Sequence, residues 1–120
     1  MKTLLLDDNL LTQTRVAAQL HCAGCQVQTR RALPTEGDFE LVVINLGSRS
    51  MAGLELLEAA KTQLPHAQVW GFCGHLEIEI RRAALKIGVD KLLTNEVAMS
   101  ELAAQISLWE RKAAPEPESS

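Results

Sequence analysis

Short apolar runs separated by stretches of helical periodicity constrain this chain more than any single motif. The runs are Lys2 to Leu6, Gln26 to Thr29, Leu41 to Asn45, Gln68 to Phe72 and Lys91 to Leu93. Each has strand length, and the intervals between most of them have helix length, the pattern of βα units building a parallel sheet. In the first interval Val16, Ala17, Leu20 and Ala23 recur at helical spacing, with Asp8 or Asn9 placed to cap the start and Gly24 to end the helix. Leu56, Leu57, Ala60 and Leu64 form a second stripe before Pro65, and Leu76, Ile80, Ala83, Ala84 and Ile87 a third before Gly88. A last helix is predicted from Ala98 to Lys112, with Met99, Leu102, Ala103 and Ile106 inward. One crossover is short. Arg31 to Glu40 contains Pro34 and Gly37 and leaves room for about one helical turn, so a loop or short 3₁₀ piece is expected there.

Five strands so alternated predict a flavodoxin-like, doubly wound α/β domain over residues 1–112, with strand order 2-1-3-4-5 and a shortened second helix. Residues 113–120, rich in Pro, Glu and Ser, are predicted to be a disordered tail. At 47% hydrophobic residues and net charge −3 the chain can bury a core but has no clustered Lys and Arg, which argues against nucleic acid as a direct partner. Residues 1–6 are too short for a membrane span and lack a cleavage signature, so a cytoplasmic location is expected. Three cysteines do not make a disulfide framework. Cys22-Ala23-Gly24-Cys25 sits at a helix end, where the macrodipole disfavours a thiolate, and His66 lies three strands away, so neither redox catalysis nor zinc binding is predicted.

In this fold the ligand crevice opens where strands 1 and 3 end, which points to Asp7, Asp8 and Asn45. The order Asp7-Asp8, Asn45 to Gly53, and Ala84-Leu85-Lys86-Ile87-Gly88-Val89-Asp90 resembles the receiver domain of bacterial two-component response regulators, over nearly everything from Lys2 to Lys112. The resemblance implies that Asp7 and Asp8 match an acidic pair that holds Mg²⁺, and that Asn45 stands at the phosphoacceptor position. It further implies that Cys73 replaces a Thr or Ser, Asn95 a lysine, Glu96 a proline, and Leu92 a coupling aromatic residue. An amide is not a competent nucleophile, so Asn45 marks an inactive position and a pseudo-receiver rather than an enzyme.

Losing a carboxylate and a lysine together leaves the formal pocket charge near about −2. Asn45 and Asn95 are therefore expected to act as a pair, donating amide hydrogen bonds to Asp7 or Asp8 and closing the degenerate pocket of Asp7, Asp8, Asn45, Cys73 and Asn95. No resident cofactor or metal is expected, although weak Mg²⁺ binding at Asp7 and Asp8 stays open. Cys73, at the mouth of an acidic pocket, is expected to ionise poorly. Function then falls to the surface. Ile78 and Leu85, i and i+7, lie opposite the core stripe of their helix, and with Lys91, Leu108 and Trp109 they compose the predicted partner face on the fourth receiver helix, fifth strand and fifth helix. The partner would be another signalling protein or a second copy. Two alternatives remain: a receiver that still binds Mg²⁺ or is phosphorylated at a non-standard residue, and a small-ligand-binding flavodoxin-like module.

Overall fold

The computed structural model describes residues 1–113. Its strands are β1 (Lys2–Leu6), β2 (Gln26–Arg30), β3 (Leu41–Asn45), β4 (Gln68–Cys73) and β5 (Lys91–Thr94). Its helices are α1 (Leu10–Cys22), α2 (Gly53–Gln63), α3 (Ile78–Ile87), α4 (Asn95–Ser100) and α5 (Leu102–Ala113). All strand pairs are parallel, in the order β2-β1-β3-β4-β5. This is the predicted flavodoxin-like arrangement. Of the predicted tail, Ala113 closes α5 and the remainder lies outside the described residues.

Side-chain alternation along the strands divides the core into two layers. Leu5, Leu41, Val43, Trp70, Phe72 and Leu93 face α1, α4 and α5, where Val16, Leu20, Ala98, Leu102 and Ile106 are buried against them. Leu4, Leu6, Val42, Ile44, Val69 and Cys73 face the other way, toward Leu57 and Ala60 of α2 and Ala84 of α3. Full burial of one such leucine stabilises the fold by roughly 1.5–3 kcal/mol.

The second crossover, residues 31–40, is a loop. It lays Leu33 and buried Phe39 over the β1 side of the second layer, with Lys2 Nζ 5.6 Å from the Phe39 ring centre. β2 is adapted to the missing helix. Gln28 and Arg30, which share a face with Leu4 and Leu6 through the register, are polar and exposed, whereas Val27 on the opposite face packs into the α1 layer. An edge strand with one wet face needs no helix above it.

Two predicted helices differ in detail. The third stripe predicts a helix from Leu76, but α3 begins at Ile78 and Leu76 is 78% exposed. The Glu77 carboxylate accepts the Gly74 amide at 2.6 Å, and this turn holds Leu76 outward before helical periodicity starts. The single last helix is two. Thr94 Oγ1 accepts the Val97 amide and starts α4 at Asn95, earlier than Ala98. Ser100 Oγ donates to the Glu96 carbonyl at 2.6 Å, a back-bond that bends helices, and Glu101 leaves helical geometry at φ −128° before α5 resumes.

One close approach fixes the mouth of β3. A Cβ on Gly53 would meet Leu46 Cα at 2.8 Å and the Asn45 carbonyl oxygen at 2.9 Å, both backbone atoms that cannot swing aside. Gly53→Ala is therefore expected to destabilise the protein by about 1–3 kcal/mol. Urea denaturation followed by tryptophan fluorescence measures this, and an unchanged midpoint would show that the α2 start is not tightly seated on β3.

Candidate functional site

The carboxyl ends of β1 and β3 bring Asp7 and Asn45 together under the sheet's edge. Asp7 is fully buried and Asn45 is 6% exposed. A buried carboxylate demands donors, and Asp7 has three. Its Oδ1 accepts from the Asn9 amide at 2.9 Å and from Asn45 Nδ2 at 2.9 Å, and its Oδ2 accepts from Thr12 Oγ1 at 2.6 Å. Asn9 caps α1 by accepting from the Leu11 and Thr12 amides, so the start of α1 and the carboxylate are set by one network. The other end of Asn45 is also engaged, its Oδ1 accepting from the Gly47 amide at 3.1 Å. The carboxylate requires a donor and the amide N–H an acceptor, which together fix the orientation of the side chain.

Asp8 is half-exposed and held differently. The hydroxyls of Ser48 and Ser50, both in the loop after β3, donate to its two oxygens. Ser48 foremost, then Ser50, holds this carboxyl below its ordinary range. A depressed folded pKa stabilises the fold above the ordinary carboxylate range, and that contribution is lost as pH falls through the lowered value.

Beside these groups lies a crevice of about 520 Å³ lined by Asp8, Asn9, Thr12, Asn45, Gly47, Ser48, Arg49, Ser50, Gly74, Glu77 and Asn95. Glu77 was not anticipated from the sequence. Its carboxylate reaches Gly74 and lies where a Cβ on Gly47 would be 2.8 Å away, so it bridges the loops after β3 and β4. The acidic character of the crevice mouth thus comes from Asp8 and Glu77. Ser48, Ser50 and Thr12 were likewise missed, although their short hydroxyl side chains near an acidic pair were the available signal.

Two expectations for the pocket are corrected. Asn45 makes the expected bond to Asp7, but Asn95 makes no hydrogen bond to either aspartate. It opens α4 after β5, which β4 and β3 separate from β1 by roughly 14 Å at the usual strand spacing, and it lines the crevice from there. Cys73 does not sit at the mouth. It is fully buried in the α2–α3 layer, and Gly74 lines the crevice in its place. Burial raises the Cys73 thiol above its ordinary range, partly opposed by the Arg81 guanidinium 3.7 Å from its sulfur. Of the other cysteines, Cys25 is buried and Cys22 exposed.

No family model and no curated protein matches this sequence. Solved structures do. A response regulator from Burkholderia pseudomallei, determined with a phosphorylated aspartic acid, a calcium ion and citrate, superposes with a TM-score of 0.67 at 22% identity, covering 95% of this chain and 75% of that one. A response regulator receiver domain protein from Clostridium thermocellum gives 0.75 at 20% identity over 92% and 94% of the two chains. The receiver domain of NtrX from Brucella abortus gives 0.68 at 23% identity over 92% and 96%. The fold is that of response-regulator receiver domains.

Receiver folds imply Mg²⁺ at the acidic pair, and here the Asp7 and Asn45 sides of that site are engaged with each other. Octahedral Mg²⁺ needs oxygen ligands with free lone pairs. The buried Asp7 oxygens accept from three donors and Asn45 turns its N–H₂ rather than its oxygen toward Asp7, whereas each Asp8 oxygen accepts from one serine and keeps a second lone pair. Among the described residues no three His, Cys, Asp or Glu side chains converge as metal ligands.

The predicted partner residues lie on elements flanking the edge strand β5. Ile78 and Leu85 on α3 are 55% and 62% exposed, and Leu108 on α5 is 45% exposed. Lys91 and Trp109 are half-buried around Trp70: Lys91 Nζ lies 5.4 Å from its ring centre and Trp109 meets it edge-on at 5.6 Å. No helix among the described residues is long and apolar enough to cross a membrane.

Replacing Asn45 by Asp would set a second carboxylate against Asp7 where the amide now donates. Two such groups cannot both ionise cheaply, so one pKa of the pair rises above its unfolded value. The variant should then lose stability as pH climbs from the ordinary carboxylate range to the raised pKa, reaching a deficit of about 2–4 kcal/mol at neutral pH. Urea midpoints of Asn45→Asp and wild type should diverge as pH rises from 4 to 8. A gap that stays constant or closes would show that the amide-to-carboxylate bond is not the governing contact.

Proposed function

We propose that this chain is a pseudo-receiver, a receiver-fold signalling or scaffolding module that works without phosphoryl transfer and acts by binding another protein. The observation that carries this reading is the Asn45 Nδ2 to Asp7 Oδ1 hydrogen bond of 2.9 Å. An amide stands where the resemblance implies an attacking carboxylate, and its donor end is already committed. Asn95 in place of a lysine removes the cation that would neutralise a transferred phosphoryl group.

The working surface in this reading is the α3, β5 and α5 face, with Ile78, Leu85 and Leu108 as apolar contacts and Lys91 and Trp109 at their margin. Apolar side chains left in water on adjacent elements favour an interface when they form a contiguous patch around an aromatic anchor. The partner is another signalling protein or a second copy of this chain.

Incubation with acetyl phosphate and Mg²⁺ should leave the intact mass unchanged, whereas a hydroxylamine-labile phosphate on any residue would contradict the loss of switch chemistry. Ile78→Asp with Leu85→Asp should keep stability within about 1 kcal/mol of wild type, because both sites are exposed, yet abolish partner capture or self-association. Asp7→Asn with Asp8→Asn should change stability more than binding. If the face variant binds normally while the folded crevice variant does not, the crevice is the functional site.

A further inference from the structure

The helix that presents Ile78 and Leu85 is held by little apolar burial. Ala84 alone is buried on α3, against Gly53, Leu57 and Ala60 on α2. Ile80 and Ile87 are only partly covered. A helix so sparsely seated is free to slide or open locally unless a directional contact fixes it. Arg81 supplies such a contact. From the first turn of α3 its Nη1 donates to the Leu93 carbonyl on β5 at 3.3 Å and lies 3.7 Å from Cys73 Sγ at the end of β4. Cys73 and Thr94 are register partners, so one guanidinium spans the ends of two neighbouring strands.

Charge pairing does not explain this placement. Among the described residues the one ion pair within 4.0 Å is Lys61 with Asp90, and Arg81 has no carboxylate at that distance. A half-buried guanidinium whose acceptors are a carbonyl and a thiol contributes geometry: both are reached from Nη1, whose two N–H groups are held in the guanidinium plane and so fix the helix in direction as well as distance.

We propose that Arg81 is the positioning residue of the interaction face, latching α3, and with it Ile78 and Leu85, onto β4 and β5 in one arrangement. The proposal rests on the reading of that face as the working surface. Its test is made on α3 itself, so the latch can fail while the face still binds, and the face can fail while the latch holds.

The experiment compares wild type, Arg81→Met and Arg81→Lys in the full chain. Met keeps most of the aliphatic stem without the donors, and Lys keeps the charge without the fork. Residue-resolved alkylation of Cys73 and amide hydrogen exchange in α3 are measured beside exchange in α1 and the urea midpoint. Removing the guanidinium leaves the thiol less ionised, which by itself slows alkylation, so faster labelling reports opening of α3. In Arg81→Met, Cys73 labelling and α3 exchange are expected to rise about tenfold or more while α1 exchange is unchanged, with Arg81→Lys recovering only part of the protection. Unchanged α3 exchange and Cys73 labelling in Arg81→Met would overturn the proposal, as would an equal rise in α1 and α3. If the Met variant does not fold, the same comparison on Arg81→Lys decides.

Discussion

A carboxylate buried at the end of β1 has to be satisfied, and the way Asp7 is satisfied organises the whole carboxyl edge of the sheet. Leaving it unpaired would cost several kcal/mol, so each of its donors is under strong constraint. One donor is the amide that begins α1, one is a hydroxyl in that helix, and one is Asn45 at the tip of β3. A single group thereby ties a helix start to two strands. Asn45 passes the constraint on through its oxygen to the Gly47 amide, shaping the loop whose Ser48 and Ser50 then hold Asp8. Gly53 lets α2 begin directly against the backbone of that same segment.

An amide suits this position for reasons that also remove a chemistry. It can donate to a carboxylate and accept from a backbone N–H at once, which a carboxylate at the same place cannot do. The Asp7 carboxylate is met by donors of the chain itself rather than by a cation. Burial of Asp7 and Asn45 leaves the crevice as support for the loops around it, with Glu77 bridging two of them. Large apolar side chains are exposed at the start of α1, in the turn before α3, and on α3 and α5, and those on α3 and α5 lie on either side of β5. The account is therefore one of a rigid edge and a presented face, joined by α3, whose first residues border the crevice and whose exposed side carries Ile78 and Leu85.

Much of this architecture was legible in the sequence because burial on both faces writes itself as unbroken apolar runs. Leu41 to Ile44 and Leu4 to Leu6 could hardly be anything but central strands, and the stripe of Leu57 and Ala60 could face only one way. The polar alternation of Gln26, Gln28 and Arg30 was a visible sign that one face of β2 is wet. What escaped was decided by contacts between loops. Leu76 fitted the helical period but lies in a turn held by Glu77. The break at Glu101 follows from a serine back-bond that periodicity does not register. Asn95 matched the crevice by position, yet its reach depended on where α4 begins. Cys73 was placed by its sequence neighbours, whereas the pleat of β4 turns it inward. Ser48, Ser50 and Arg81 acquire their roles only once the loops and strand ends are assembled.

The most direct test follows the Asn45 side-chain amide by ¹⁵N–¹H NMR during titration with Mg²⁺ and beryllofluoride, a phosphoryl mimic. If the amide is committed to Asp7, its two protons should resonate apart, exchange slowly and keep their shifts throughout, and the backbone amides of α3 and β5 should not move. Saturable shifts at Asn45 accompanied by shifts across α3 and β5 would contradict the account, because they would mean that the crevice still admits a phosphoryl group and still drives the surface.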